Sequence, residues 1–278
     1  MSTGELAERL DGPAEGRPAL LDVRWRLAGP PGAESYREGH IPGAVFVDLD
    51  TELSGPPGPD GRHPLPDPAD LERVLRRAGV RAGHPVVAYD DGDSSVAARA
   101  WWLLRWAGHA EVAVLDGGIA AWQAEGRSLS TEPAEPAEGD IEVRPGHLPV
   151  VDADGAAALA REGVLLDARA HERYTGEREP VDPRAGHVPG ARNAPFSSQV
   201  GPDRRWRSPE ELREHFAALG VADEVPAGAY CGSGINACSI VLAREIAGRP
   251  EPAALYAGSW SHWSADPARP AATGDEPG

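Results

Sequence analysis

Residues 86–95 read VVAYDDGDSS, and residues 228–237 read GAYCGSGINA. Each is a short apolar run ending near a tyrosine, followed by a polar, glycine-broken turn and a helical stretch. Those stretches are SSVAARAWWLLRWAG and NACSIVLAREIAG. Strand, tight loop and helix form the unit of an α/β sheet, and it is written here twice. Working outward, the flanking sequence is duplicated too. LLDVR at 20–24 returns as LLDAR at 165–169, GHIPGAVFVDL at 39–49 as GHVPGARNAPF at 186–196, and LDGGIAAW at 115–122 as YAGSWSHW at 256–263. Four blocks in one order, each returning 141 to 147 residues later, identify a tandem duplication.

Within each half, apolar runs of buried-strand length alternate with helical stretches. ALLDV, GAVFV, PVVAY and AEVAVL occupy the first half; GVLLDA, GARNAPF, GAYC and PAALY occupy the second. DPADLERVLRRAG opens on Asp67 and closes on Gly79, and SPEELREHFAALG opens on Ser208 and closes on Gly220, which are helix cap signals. The pattern predicts an α/β fold made twice, each copy a mainly parallel sheet flanked by helices. Domains are expected at 1–125 and 148–278, with the proline-rich, acidic stretch 126–147 as an extended linker.

Composition removes several functional classes. A net charge of −17 argues against a nucleic-acid or anionic-membrane partner, so an anionic substrate needs a local positive cluster. All 27 basic residues are arginine, which excludes a lysine Schiff base and a Walker-type phosphate lysine. Two cysteines make neither a disulfide framework nor a zinc site. No membrane-length apolar run or secretory signal occurs, and the chain reads as cytoplasmic, with no metal or organic cofactor expected.

Cys231 follows the strand ending at Tyr230 and precedes Gly232-Ser233-Gly234-Ile235-Asn236 and a helix. Ligand crevices of open α/β sheets lie at the carboxyl ends of strands. A glycine loop opening a helix suits an anion there, whether a thiolate or a persulfide. The equivalent residue of the first half is Asp90, which cannot be a sulfur nucleophile. One copy is therefore reactive and the other inactive. Cys238, seven residues along the helix, reads as a small buried hydrophobe, and Trp101, Trp102 and Trp106 read as core.

The paired LDxR, GHxPGA and strand–Cys–glycine-loop–helix blocks resemble a tandem rhodanese-domain sulfurtransferase over residues 18–265. The resemblance implies two rhodanese-like domains, an inactive first domain, and ping-pong sulfur transfer through a Cys231 persulfide. The loop CGSGIN is similar to the CGSGVT form of 3-mercaptopyruvate enzymes at Cys231, Gly232, Ser233 and Gly234; it departs at Ile235 and Asn236, and it lacks the basic CRKG of thiosulfate enzymes. The resemblance places a donor-binding arginine at Arg173 in ERYTGE. The family's second arginine would fall at 182, which is Asp, and Arg184 is the nearest substitute. Ser233 and His40 match a serine and histidine that relay a proton, although His40 recurs as His187, as a turn residue of the fold would. The implied partners are a small anionic sulfur donor and an acceptor that is cyanide, a thiol or thioredoxin.

A cysteine phosphatase would need an arginine at 237, which is Ala. Thiosulfate transfer, and a sulfur carrier that loads without turnover, stay open as alternatives.

Overall fold

In a computed structural model, which describes residues 1–222, 224–249 and 251–278, the chain separates into two compact units. Unit 1 comprises Met1–Gly55, Pro66–His147 and Pro202–Arg205; unit 2 comprises Pro56–Leu65, Leu148–Gly201 and Trp206–Gly278. Each half of the chain thus lends a short arm to the unit built by the other half.

Unit 1 runs α1 (Thr3–Asp11), β1 (Ala19–Asp22), α2 (Gly32–Glu38), β2 (Ala44–Phe46), α3 (Pro68–Arg77), β3 (Val86–Tyr89), α4 (Ala97–Trp106), β4 (Val112–Val114) and α5 (Gly118–Ala124). Its four strands are parallel in the order β2-β1-β3-β4. Unit 2 repeats the plan with α6 (Ala153–Glu162), β5 (Val164–Asp167), α7 (His171–Thr175), β6 (Arg192–Asn193), α8 (Pro209–Ala218), β7 (Ala227–Tyr230), α9 (Ala237–Ile246), β8 (Ala254–Leu255) and α10 (Ser259–Ala265). Its sheet is parallel in the order β6-β5-β7-β8. Two parallel sheets flanked by helices are the expected fold.

Local chemistry sets the boundaries. Asp67 accepts the N–H groups of Ala69 and Asp70 ahead of α3, and Ser208 forms a capping box with Glu211 ahead of α8. Gly79 and Gly220 follow these helices at φ +77° and +74°, where a glycine is not strained. The central strands β3 and β7 are buried along their whole length, and Trp101, Trp102 and Trp106 lie in the core as expected.

Residues 126–147 group with unit 1 and so differ from a free linker. Ser130 pairs with His40, Gly139 N–H donates to Arg76 O, and Ile141 is buried. An extended, proline-rich stretch still offers backbone groups at intervals, and these dock it on the domain. The C-terminal stretch repeats the device in unit 2, where Ala272 pairs with His187. No helix among the described residues is long and apolar enough to cross a membrane.

Candidate active site

At the carboxyl end of β7 the chain turns through Cys231–Asn236 into α9. The thiol is 4% exposed, and the Gly234 N–H donates to its Sγ at 3.1 Å. The loop is clamped from α10: Trp260 N–H donates to Cys231 O and Ser261 N–H to Gly232 O, both at 2.9 Å. Gly234 sits at φ +87°, and a Cβ there would stand 2.4 Å from Ala257 O, so the turn excludes any other residue. Ile235 is buried, and Asn236 caps α9 with its carbonyl accepting from Ser239 Oγ at 2.7 Å.

Ser259 is a strained support for Cys231. Its φ is +54°, a conformation costing a non-glycine residue about 1–3 kcal/mol. Its hydroxyl accepts the Cys231 N–H at 3.1 Å and donates to Tyr256 O at 2.9 Å, which offsets that cost. The matching residue of unit 1 is Gly118, also at φ +54°.

Unit 1 reveals what this turn is built to hold. There Asp90 folds its own carboxylate into the loop and accepts the N–H groups of Gly92, Ser94, Val96 and Ala97 at 2.9–3.1 Å. Burial pushes the Asp90 pKa up to about 6, with Asp93 adding to the rise and the N–H groups of Ala97, Gly92 and Ser94 opposing it. The nest of the first copy is therefore occupied by its own anion. In the second copy a thiol takes the place of that carboxylate.

Beside the cysteine loop, carboxylates and guanidiniums alternate. Asp167, at the end of β5, takes Arg169 in a two-pronged pair, and Arg169 continues to Glu179 at 3.3 Å. Glu179 holds Arg173 through Nε and Nη2, and Arg173 Nη2 also reaches Asp182 at 2.9 Å. The other oxygen of Asp182 pairs with Arg62, which arrives on the arm Pro56–Leu65. Burial opposes the Arg169 charge, but Asp167 holds the guanidinium well above its usual range. Burial likewise pushes the Glu179 carboxyl up, and Arg173 with the N–H groups of Asp182 and Val181 more than reverses it. Asp167, like Asp22 with Arg24 in unit 1, thus serves as a strand-end bonding group, as its recurrence indicates.

Arg173 is therefore held beside the loop. Arg184 is elsewhere: its guanidinium donates to the carbonyls of Trp263, Ser264, Asp266 and Arg269. Those carbonyls lie at and beyond the end of α10, so the Arg184 guanidinium, expected at the substrate, caps a helix C-terminus in this structure. His40, expected in a proton relay, lies apart from the Ser233 contact described below. It is fully buried in unit 1, stacked on Tyr36, with its ring nitrogens 2.8 Å from Tyr36 O and 3.1 Å from Glu132 O. His187 repeats this with Tyr174 O and Pro277 O, so both histidines fasten the fold. Neither ring has a nitrogen to spare for a proton relay.

The histidine beside the loop is His63, which sequence reasoning passed over. Its Nδ1 lies 2.8 Å from Ser233 Oγ. The arm that carries it is fixed by a Gly58–Gly61 bridge and by Arg62 N–H donating to Ser261 Oγ at 3.1 Å. Cys238 is buried, as expected, with its thiol on Gly234 O at 3.3 Å. Among the described residues no cluster of three or more His, Cys, Asp or Glu could hold a metal ion.

Comparison with known proteins accords with this geometry. Residues 2–125 and 152–266 each match the rhodanese-like domain family. The chain is 48% identical to a probable 3-mercaptopyruvate sulfurtransferase of Pseudomonas aeruginosa, over 99% of this chain and 98% of that one. It is 44% identical to a putative thiosulfate sulfurtransferase, SseB, of Mycobacterium tuberculosis, over 92% of this chain and 91% of the other. Among solved structures it is similar to SseA from Escherichia coli, described as a 3-mercaptopyruvate sulfotransferase, with a TM-score of 0.82 and 31% identity over 94% of this chain and 98% of the other.

Proposed function

The chain belongs to the rhodanese family, as two rhodanese-like domains in tandem, and on that premise we propose that it is a sulfurtransferase taking sulfur from 3-mercaptopyruvate onto Cys231. The observation that carries the donor assignment is the Ser233–His63 contact beside the thiol. A mercaptopyruvate donor brings a thiol proton and leaves as a carbanion, so it needs a group that moves a proton at this place. Thiosulfate needs none.

The steps balance. Cys231 thiolate attacks the donor sulfur, an S–S bond forms, and the donor's C–S bond breaks with its electron pair going to carbon as the pyruvate enolate. The proton on the transferred sulfur passes through Ser233 and His63 to that carbon, leaving pyruvate and an anionic persulfide. The unit 2 counterpart of the loop that holds the Asp90 carboxylate stabilises the persulfide, with the Gly234 N–H on Cys231 Sγ. Arg173, with Nε and Nη2 on carboxylates and Nη1 turned toward the loop, receives the donor carboxylate through a charged hydrogen bond. An acceptor thiolate or cyanide then takes the outer sulfur and releases Cys231 as thiolate.

Steady-state transfer from 3-mercaptopyruvate and from thiosulfate, with wild type and Cys231→Ser, tests the reading. Preference for mercaptopyruvate, a mass gain of one sulfur on the wild type, and loss of both in the variant are expected. Thiosulfate preference would transfer the assignment to the activity named for the Mycobacterium relative. Loading without turnover by either donor would make the protein a sulfur carrier.

A further inference from the structure

We propose that Arg62 is a donor-specificity residue, forming with Arg173 a two-guanidinium clamp for the carboxylate of an α-keto acid donor, and that Asp182 is the positioning residue that sets the clamp. The inference rests on the donor reading above and adds a residue to it.

Gly232 follows Cys231 in the loop. A Cβ placed there would lie 3.1 Å from Nη2 of Arg62 and 3.2 Å from Nη1 of Arg173. Two guanidiniums thus turn one nitrogen each toward the same point of the cysteine loop, and the missing side chain leaves that point open. Each spends its other edge on the same carboxylate: Arg62 Nη1 on one oxygen of Asp182 and Arg173 Nη2 on the other. Like charges so close repel unless an anion lies between them. Asp182, with a side chain only 1% exposed, is that fixed anion on the outer side. On the inner side the two nitrogens point at the loop, where a planar carboxylate can take one N–H on each oxygen. A bridge with a purely structural purpose would not need Arg62 Nη2 at the loop. Arg62 is 32% exposed and Arg173 19%, so an incoming anion can reach both. Asp182 also accounts for the missing second arginine on the α7 side: the second guanidinium comes from the arm instead, and the carboxylate at 182 receives it.

The test uses the full-length protein with Arg62→Gln, Arg62→Lys and Arg173→Gln. Two readouts are taken: KM and kcat for 3-mercaptopyruvate, and alkylation of Cys231 by anionic iodoacetate relative to neutral iodoacetamide. Arg62→Gln is expected to raise KM by roughly 10- to 100-fold with kcat within about threefold, as for loss of a charged hydrogen bond made equally in ground and transition states. It should lower the iodoacetate-to-iodoacetamide ratio by about tenfold, with Arg62→Lys recovering part of both effects. Unchanged KM and ratio in Arg62→Gln, with both altered in Arg173→Gln, would overturn the clamp, since Arg173 would then act alone. Equal slowing of both reagents would overturn it too, since Arg62 would then only shape the loop. Failure of the wild type to use mercaptopyruvate would remove the donor reading, while the alkylation ratio would still decide whether Arg62 binds a carboxylate.

Discussion

His63 Nδ1 lies 2.8 Å from Ser233 Oγ, two residues 170 apart in sequence that meet inside one compact unit. Serine alone is a poor proton carrier near neutral pH, and histidine is the side chain suited to that range. If the pair moves the donor's proton, His63→Ala lowers kcat for 3-mercaptopyruvate by roughly 100-fold, within the usual contribution of general acid–base catalysis. The bell of the pH profile should lose one limb, and alkylation of Cys231 by iodoacetamide should persist. His40→Gln gives the opposite result. Its buried ring stacks on Tyr36 and places its nitrogens beside two backbone carbonyls, so the variant loses stability, by about 1–3 kcal/mol, while the folded fraction keeps its kcat. Chemical denaturation beside kinetics on both variants separates the two histidines.

Arg184 gives a second contrast. Four carbonyls at the end of α10 share its guanidinium, and its own carbonyl accepts the Trp260 indole N–H at 2.9 Å. Arg184→Ala strips that cap and should cost roughly 2–4 kcal/mol, since hydrogen bonds to a charged group are the stronger kind. The KM for the donor should stay within about twofold, because the guanidinium is spent on backbone. A thermal melt with substrate titration checks it, and a KM rise like that expected of an Arg173 variant would return Arg184 to the donor site.

The duplicated blocks make both sheets, the cysteine loop and its aspartate-bearing sister legible in the sequence, because strand and helix periodicity are local. The arms are illegible for the opposite reason. Pro56–Leu65 packs with residues more than 100 positions away, and nothing in its composition announces that. Yet a signal was present. Cys231 stands out because it has no cysteine counterpart in the other copy. His40 fails that test, since it recurs as His187; His63 passes it, since DGRHPLP before α3 answers to DRRWRS before α8, which holds no histidine. Spacing alone cannot tell a guanidinium facing a substrate from one capping a helix, which is why the cap made by Arg184 is not legible in the sequence.

Asp90 yields a pH prediction with a definite sign. Its pKa is pushed up to about 6 by burial, against 3.8 for an ordinary aspartate. Below the lower value the carboxyl is protonated in folded and unfolded chains alike, and the stability tied to the neutral form is fully present. Between the two values the unfolded chain ionises while the folded chain keeps its proton, so that stability drains away as pH rises through about 6. A displacement of roughly two units corresponds to about 3 kcal/mol. The nest N–H groups limit the loss by receiving the ionised form, which is why unit 1 tolerates a buried carboxylate at neutral pH. Asp90→Asn cannot titrate, so its stability relative to wild type should rise by about that amount between pH 4 and 6.5. Urea denaturation of both proteins at stepped pH, followed by tryptophan fluorescence, measures the difference. A constant gap across this range would mean that the four backbone donors outweigh burial and keep Asp90 ionised throughout, and the nest would then be a stronger anion site than its buried position implies.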